Sequence, residues 1–134
     1  MKYTRKDFIN KIIDNIELNN NGSIIASPSN NPNYFYHWVR DSAITMKVIT
    51  NEYELTKDLK YLNIILKYVN FEYNLQNVET LSGLGEPKYN VDGTSFNENW
   101  GRPQNDGPAL RGIIMIQIGR LLEKNFNIIK NNII

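Results

Sequence analysis

The stretch SPSNNPNYFYHWVRDSA, residues 27–43, marks where this chain passes from loop to helix. Pro28 and Pro32 lack N–H donors and bias the residues before them to extended backbone, so the first half reads as irregular. Tyr34, Phe35, Tyr36 and Trp38 then crowd aromatic area into five positions, and Arg40 and Asp41 follow at once. From Asp41 onward the residues are those of an apolar helix. A loop-to-helix junction dense in aromatic faces and hydrogen-bonding groups suits a polar ring with flat apolar faces. The same residues equally fit a structural corner, with packed aromatics and Asp41 capping the helix.

Helices are predicted on both sides of this junction. Upstream, Thr4 with Asp7 resembles a capping box, and Phe8, Ile9, Ile12, Ile13 and Ile16 form an apolar stripe, giving a helix over 4–18. Asn19 to Gly22 closes it, and 23–26 is a short extended piece. Downstream, 41–51 is apolar on more than one side, which implies deep burial. The next helix is expected over 54–73, with Leu55, Leu59, Leu62, Leu66, Val69 and Tyr73 as its buried stripe. A final helix is expected from Gly107 or Pro108, capped by Asp106 or Gly107, with Leu110, Ile113, Ile114, Ile118, Leu121 and Leu122 on its apolar face.

Between the last two helices, 77–106 is rich in turn formers, with Asp92-Gly93 and Asp106-Gly107-Pro108 as its strongest signals. A loop of this length inside one domain is often functional. Gly83 and Gly85 do not make it a phosphate loop, since the required glycine spacing and the following Lys-Ser/Thr pair are missing.

Composition narrows the chemistry. With 134 residues, 41% of them hydrophobic, the chain has the make-up of about one globular domain. A net charge of +1 with dispersed basic residues disfavours nucleic acid and acidic membranes as partners. With no cysteine and one histidine, His37, thiolate catalysis, disulfides and cysteine- or histidine-based metal clusters are not expected. The opening MKYTRKDFINKIID has no continuous apolar core of signal-peptide type, and no run approaches transmembrane length.

A second aromatic and polar cluster, Trp100-Gly101-Arg102-Pro103-Gln104-Asn105-Asp106, complements the first. Together they hold the ingredients of a carbohydrate site: aromatic faces for the C–H side of a sugar, and Arg and Asp for its hydroxyls. Alternatives remain at each position. Trp38 and Trp100 also suit core anchors, Arg40 and Asp41 a structural ion pair, and Asp106 a helix cap.

The segments SIIASPSNNPNYFYHWVRDSA and GLGEPKYNVDGTSFNENWGRPQNDGPALRG, in this order and at this separation, resemble the glucoamylases of glycoside hydrolase family 15. The resemblance implies an all-α chain, part of an (α/α)6 barrel with long substrate-site loops. It makes residues 1–134 the N-terminal portion of a glucoamylase-like catalytic domain, an incomplete one. It also implies that Trp38, Arg40 and Asp41 bind the terminal glucose unit, that Tyr34 lies beside the reacting sugar, and that Trp100 contacts substrate. Arg102 and Asp106 would mainly hold the loop.

The implied reaction releases β-D-glucose with inversion from the non-reducing ends of α-glucans such as starch, maltooligosaccharides or glycogen, without cofactor or metal. Inversion needs an acid and a base about 6.5–9.5 Å apart, with room for water between them. In the family both glutamates lie downstream of these motifs, the acid in a tryptophan–glutamate–glutamate element with no counterpart after Leu110. Glu86, Glu98 and Glu123 fit neither context, so no catalytic residue is assigned and the chain alone is expected to be inactive. The competing expectations are a non-catalytic glucan-binding or regulatory relative and a small helical interaction protein. Secretion is usual in the resembled family; the residues themselves do not fix a compartment.

Overall fold

The expected helices form, with shifted ends. The computed structural model describes residues 2–133. It holds α1 (Arg5–Glu17), β1 (His37–Trp38), α2 (Val39–Thr56), α3 (Leu59–Leu75), β2 (Lys88–Tyr89), α4 (Asp106–Lys124) and α5 (Phe126–Ile133), plus one 3-10 turn at Gly83–Gly85. The capping box of α1 is complete: Asp7 N–H donates to Thr4 Oγ1 at 3.3 Å, and Thr4 N–H to the Asp7 carboxylate at 2.7 Å. This satisfies donors that the first helical turn would otherwise leave unpaired. The helix buries Ile9 and Ile16 and leaves Phe8 in solvent.

Helix α2 starts two residues before the expected Asp41. Trp38 is extended and paired to β2, and Val39 N–H donates to Pro87 O at 3.0 Å, so an acceptor outside the helix takes the place of a side-chain cap. Asp41 therefore lies inside the first turn rather than capping it. Its charge is favourable there, near the positive end of the helix dipole.

Residues 54–73 were expected as one helix, but the chain breaks at Lys57, which has a left-handed φ of 57°. Thr56 Oγ1 donates to Glu52 O and accepts from Asp58 N–H, local bonds that compete with continuing the ladder. Asp58 then caps α3 by accepting from Lys60 N–H at 2.9 Å.

The buried face of α3 overlaps the expected stripe only in part. Leu62 is buried and Leu66 and Val69 pack partly buried against the core, but Leu55 belongs to α2 and is 66% exposed, and Tyr73 is 67% exposed. With Leu62, the residues that face inward are Tyr61, Ile64, Ile65, Tyr68, Phe71, Glu72 and Leu75. Both series step by three and four residues, so periodicity alone could not choose between them.

Helix α2 packs against both α3 and α4. Met46, Ile49 and Tyr53 meet Tyr61, Leu62, Ile65 and Tyr68 on one side and Ile114, Ile118 and Leu121 on the other, with Ile9 and Ile16 of α1 in the same core. Asn105 occupies the N-cap position of α4, so Asp106 is its first residue and not its cap. Gly107 lets α4 approach α2 closely: a Cβ there would stand 3.3 Å from Val39 Cβ.

The long segment before α4 is irregular apart from the 3-10 turn at Gly83–Gly85 and β2. That strand pairs antiparallel with β1, setting His37 opposite Tyr89 and Trp38 opposite Lys88. The expected Asp92-Gly93 turn closes behind it, with Asn90 N–H donating to Thr94 O and Gly93 at φ 89°. Among the described residues no helix is long and apolar enough to cross a membrane.

Candidate functional site

The two-stranded pairing carries the first aromatic cluster to the second. Trp38 is nearly buried, and its ring meets that of Trp100 edge-on, with centroids 5.5 Å apart and an interplanar angle of 73°. Trp100, on the loop, stays 46% exposed. Tyr36 and Phe96 form a second edge-on pair at 5.2 Å.

Lys88 fills the space between these rings. Its Nζ lies 3.6 Å from the Trp100 centroid, 4.1 Å from Phe96, 4.3 Å from Tyr36 and 4.9 Å from Trp38. Burial and the nearby Arg102 charge lower the proton affinity of this amine. The ring faces oppose that effect, because their quadrupoles attract the ammonium. A lone lysine in Glu-Pro-Lys-Tyr-Asn gives no sign of such burial, and the sequence reading missed it.

Arg40 and Asp41 project from the first turn of α2. Arg40 Nη1 binds Asp106 Oδ2 at 2.9 Å, and its Nε is 3.7 Å from Asp41 Oδ2. The tighter partner is thus Asp106 rather than the adjacent aspartate. The contact raises the proton affinity of Arg40 and holds the Asp106 carboxyl below its ordinary range. Asp41 also lines an open cleft of about 180 Å³ with Ile12, Asn15, Ala26 and Thr45.

Tyr34 stands exposed on the loop, placed by its N–H bond to Ser29 O at 3.0 Å. No ring contact joins it to the tryptophan pair among the described residues. The structure therefore brings Trp38 and Trp100 together and links Arg40 to the second motif, while Tyr34 stays apart from both.

Arg102 ties the second loop. Its Nε reaches both oxygens of the buried Glu86 at 2.8 and 2.9 Å, and its Nη groups donate to Glu98 O and Phe96 O at 2.8 Å. One planar guanidinium thus fixes three points of the chain.

Behind the strand lies a buried polar network that the sequence reading also missed. Glu72 Oε1 accepts from His37 Nε2 at 2.9 Å and shares the Ser42 hydroxyl, 3.2 Å away, with Val39 O at 3.0 Å, and Oε2 accepts from Arg111 Nη1 at 3.2 Å. Burial alone would raise the pKa of Glu72, but His37 and Arg111 outweigh it and hold the carboxyl below its ordinary value. A legible signal existed: Tyr61, Ile65, Tyr68, Glu72 and Leu75 share one helical face, so a carboxylate lay on an apolar stripe.

With this geometry in place, comparison with known proteins is informative. The model of glycosyl hydrolases family 15 matches residues 5–133. The chain belongs to that family. Among its family-15 relatives are a probable glucoamylase of Schizosaccharomyces pombe, 50% identical over 114 residues, and glucoamylase-1 of Arthroderma benhamiae, 42% identical over 131. These alignments cover 79% and 87% of this chain but 25% and 21% of the relatives, so it spans a fifth to a quarter of their length. The solved family-15 glucoamylase from Hypocrea jecorina superposes on 98% of this chain and 26% of its own, with a TM-score of 0.79 at 34% identity. The glucoamylase of Hormoconis resinae gives 0.74 at 47% identity over 78% of this chain and 19% of its own. The helices described above are thus part of an (α/α) barrel.

Proposed function

We propose that this family-15 chain carries part of the substrate site of a glucoamylase, a glucan 1,4-α-glucosidase that releases β-D-glucose from the non-reducing ends of starch-like α-glucans with inversion. The observation that carries this reading is the contact of Trp38 with Trp100, which unites the two motifs into one aromatic surface beside Arg40 and Asp41. In it Trp38 and Trp100 take the C–H faces of a glucose unit, Arg40 and Asp41 its hydroxyls, and Tyr34 the side of the reacting bond. Arg40 is already drawn to Asp106 and Asp41, which orients its fork without consuming all five donors.

The hydrolytic step needs one carboxylic acid to protonate the leaving oxygen and one carboxylate to activate water. Of the loop carboxylates, Glu86 is engaged by Arg102. We assign neither Glu86 nor exposed Glu98 to that pair. The chain alone then binds sugar and does not cleave it.

Calorimetry with maltose or acarbose tests the binding half. Measurable affinity is expected, and Trp38→Ala should weaken it by about tenfold or more, the scale of a buried aromatic anchor. Glucose release from maltooligosaccharides by the purified chain would contradict the inactive half.

A further inference from the structure

We propose that Glu72 is the positioning residue of the sugar-facing stretch, and that one of its carboxylate oxygens holds Trp38 to Asp41 in register. The inference rests on the assignment of Trp38, Arg40 and Asp41 to the sugar. Glu72 Oε1 is shared by His37 and Ser42, the residues immediately before and after that segment. The four residues are thus bracketed by two side chains that meet at one atom on α3, with the single Ser42 hydroxyl proton divided between that oxygen and Val39 O. The second oxygen is held by Arg111 of α4, so the anchor is itself fixed from a third helix. Glu72, His37 and Ser42 are all fully buried, and water has no access to substitute for a lost bond.

The tautomer of His37 makes the arrangement directional. Ile24 N–H donates to Nδ1 at 2.9 Å, which places the ring proton on Nε2, facing Glu72. The ring also packs on Phe71, one residue before Glu72, at 4.9 Å. His37 is paired with Tyr89 across the strand, and the next pair is Trp38 with Lys88. A rotation of His37 would therefore displace the aromatic box, and a shift of Ser42 would displace the turn that carries Arg40 and Asp41.

Two substitutions at position 37 ask whether the donor to Glu72 is needed, and Glu72→Gln, which hardly changes volume, separates that bond from simple core filling. His37→Gln keeps a donor near the place of Nε2, while His37→Asn keeps only an acceptor for Ile24. Trp38 and Trp100 are the two tryptophans of the chain, so indole emission excited selectively, and the long-wavelength tryptophan bands of circular dichroism, report this site apart from the tyrosines and phenylalanines. For the 134-residue chain, His37→Gln should retain the wild-type tryptophan spectrum and sugar affinity. His37→Asn and Glu72→Gln should change the spectrum and weaken binding of maltose or acarbose by about tenfold, the scale of one charge-assisted hydrogen bond. Ser42→Ala should act in the same direction, less strongly.

Core filling alone also makes the shorter Asn worse than Gln, but it leaves the near-isosteric Glu72→Gln with the wild-type spectrum and affinity, and that outcome overturns the proposal. So does an unchanged spectrum and affinity in His37→Asn. Should those variants lose their far-ultraviolet helix signal, Ser42→Ala decides, and a wild-type spectrum there counts against Glu72. A wild-type chain with no sugar affinity refutes the sugar reading, and the tryptophan spectrum of Glu72→Gln still judges Glu72.

Discussion

Gly22 shows how one position fixes the approach of the loop to the helical layer. Its φ is 97°, in the region that L side chains rarely adopt, and a Cβ would lie 2.2 Å from Lys67 O on α3. The obstacle is backbone, which cannot swing aside as a side chain would. Gly22→Ala should therefore lose about 3 kcal/mol, combining backbone strain with a displaced contact. Urea unfolding measures it, and a loss under about 1 kcal/mol would show that the turn relaxes freely. At this scale the sequence was readable where chemistry is concentrated in a run: Trp38, Arg40 and Asp41 announce themselves together. Lys88 did not, because its burial depends on rings from two distant segments and on its pairing opposite Trp38. Asp106 was read mainly as a cap or loop support, and its partner Arg40 lies 66 positions away on another helix. Non-local partners of this kind leave no mark on local spacing.

Among the elements, α3 carries the buried charge network, and its contribution depends on pH. Glu72 faces His37 from β1, Ser42 from α2 and Arg111 from α4, with Tyr68 on its own helix; burial, and after it the charge of Glu72, raise the proton affinity of that phenol. The folded pKa of Glu72 lies below its ordinary value of 4.5, so the folded state binds the proton less readily than the unfolded chain. The stabilisation it provides is then complete above about 4.5 and is lost as pH falls through the lower folded value. Glu72→Gln should cost about 3 kcal/mol near neutrality, since it strands buried donors. The gap to wild type should narrow on acidification, and thermal unfolding across about pH 3–7 measures it. A constant gap would assign the loss to packing. The existence of α1 to α4 was legible from capping signals and apolar spacing, whereas the inward face of α3 was not. Apolar residues stand on both sides of it, Leu59 and Tyr73 outward and Leu62, Ile65 and Leu75 inward, so hydrophobicity does not separate the two faces. A break between these helices was expected at 52–53 and falls at Lys57 instead, a position that lacks the usual glycine and relies on bonds made by Thr56 and Asp58.

At the scale of the whole molecule, the inner layer is well packed but the helices also present apolar side chains outward. Ile44 and Leu55 lie on one exposed side of α2, Leu59 and Tyr73 on one side of α3, and Ile113 and Ile116 on one side of α4. Ile113 and Ile116, three residues apart, are neighbours on one face, whereas the α2 and α3 pairs share a side but stand several turns apart with polar residues such as Asn51 and Asn70 between them. Single exposed apolar side chains are ordinary, but contiguous ones drive association. The membership of the chain in family 15, with a span of a fifth to a quarter of its relatives, gives these side chains a context: helices of an (α/α) barrel have neighbours on more than one side. Among the described residues the outward faces of α2, α3 and α4 find no such neighbour. The 134-residue chain should therefore self-associate as concentration rises, which sedimentation velocity would show as an increasing weight-average coefficient. Ile113→Lys combined with Ile116→Lys should suppress that rise with little loss of stability, because both side chains already stand in solvent. A wild-type chain that remains monomeric at the highest accessible concentration would mean that the exposed apolar patches are too small to bind one another.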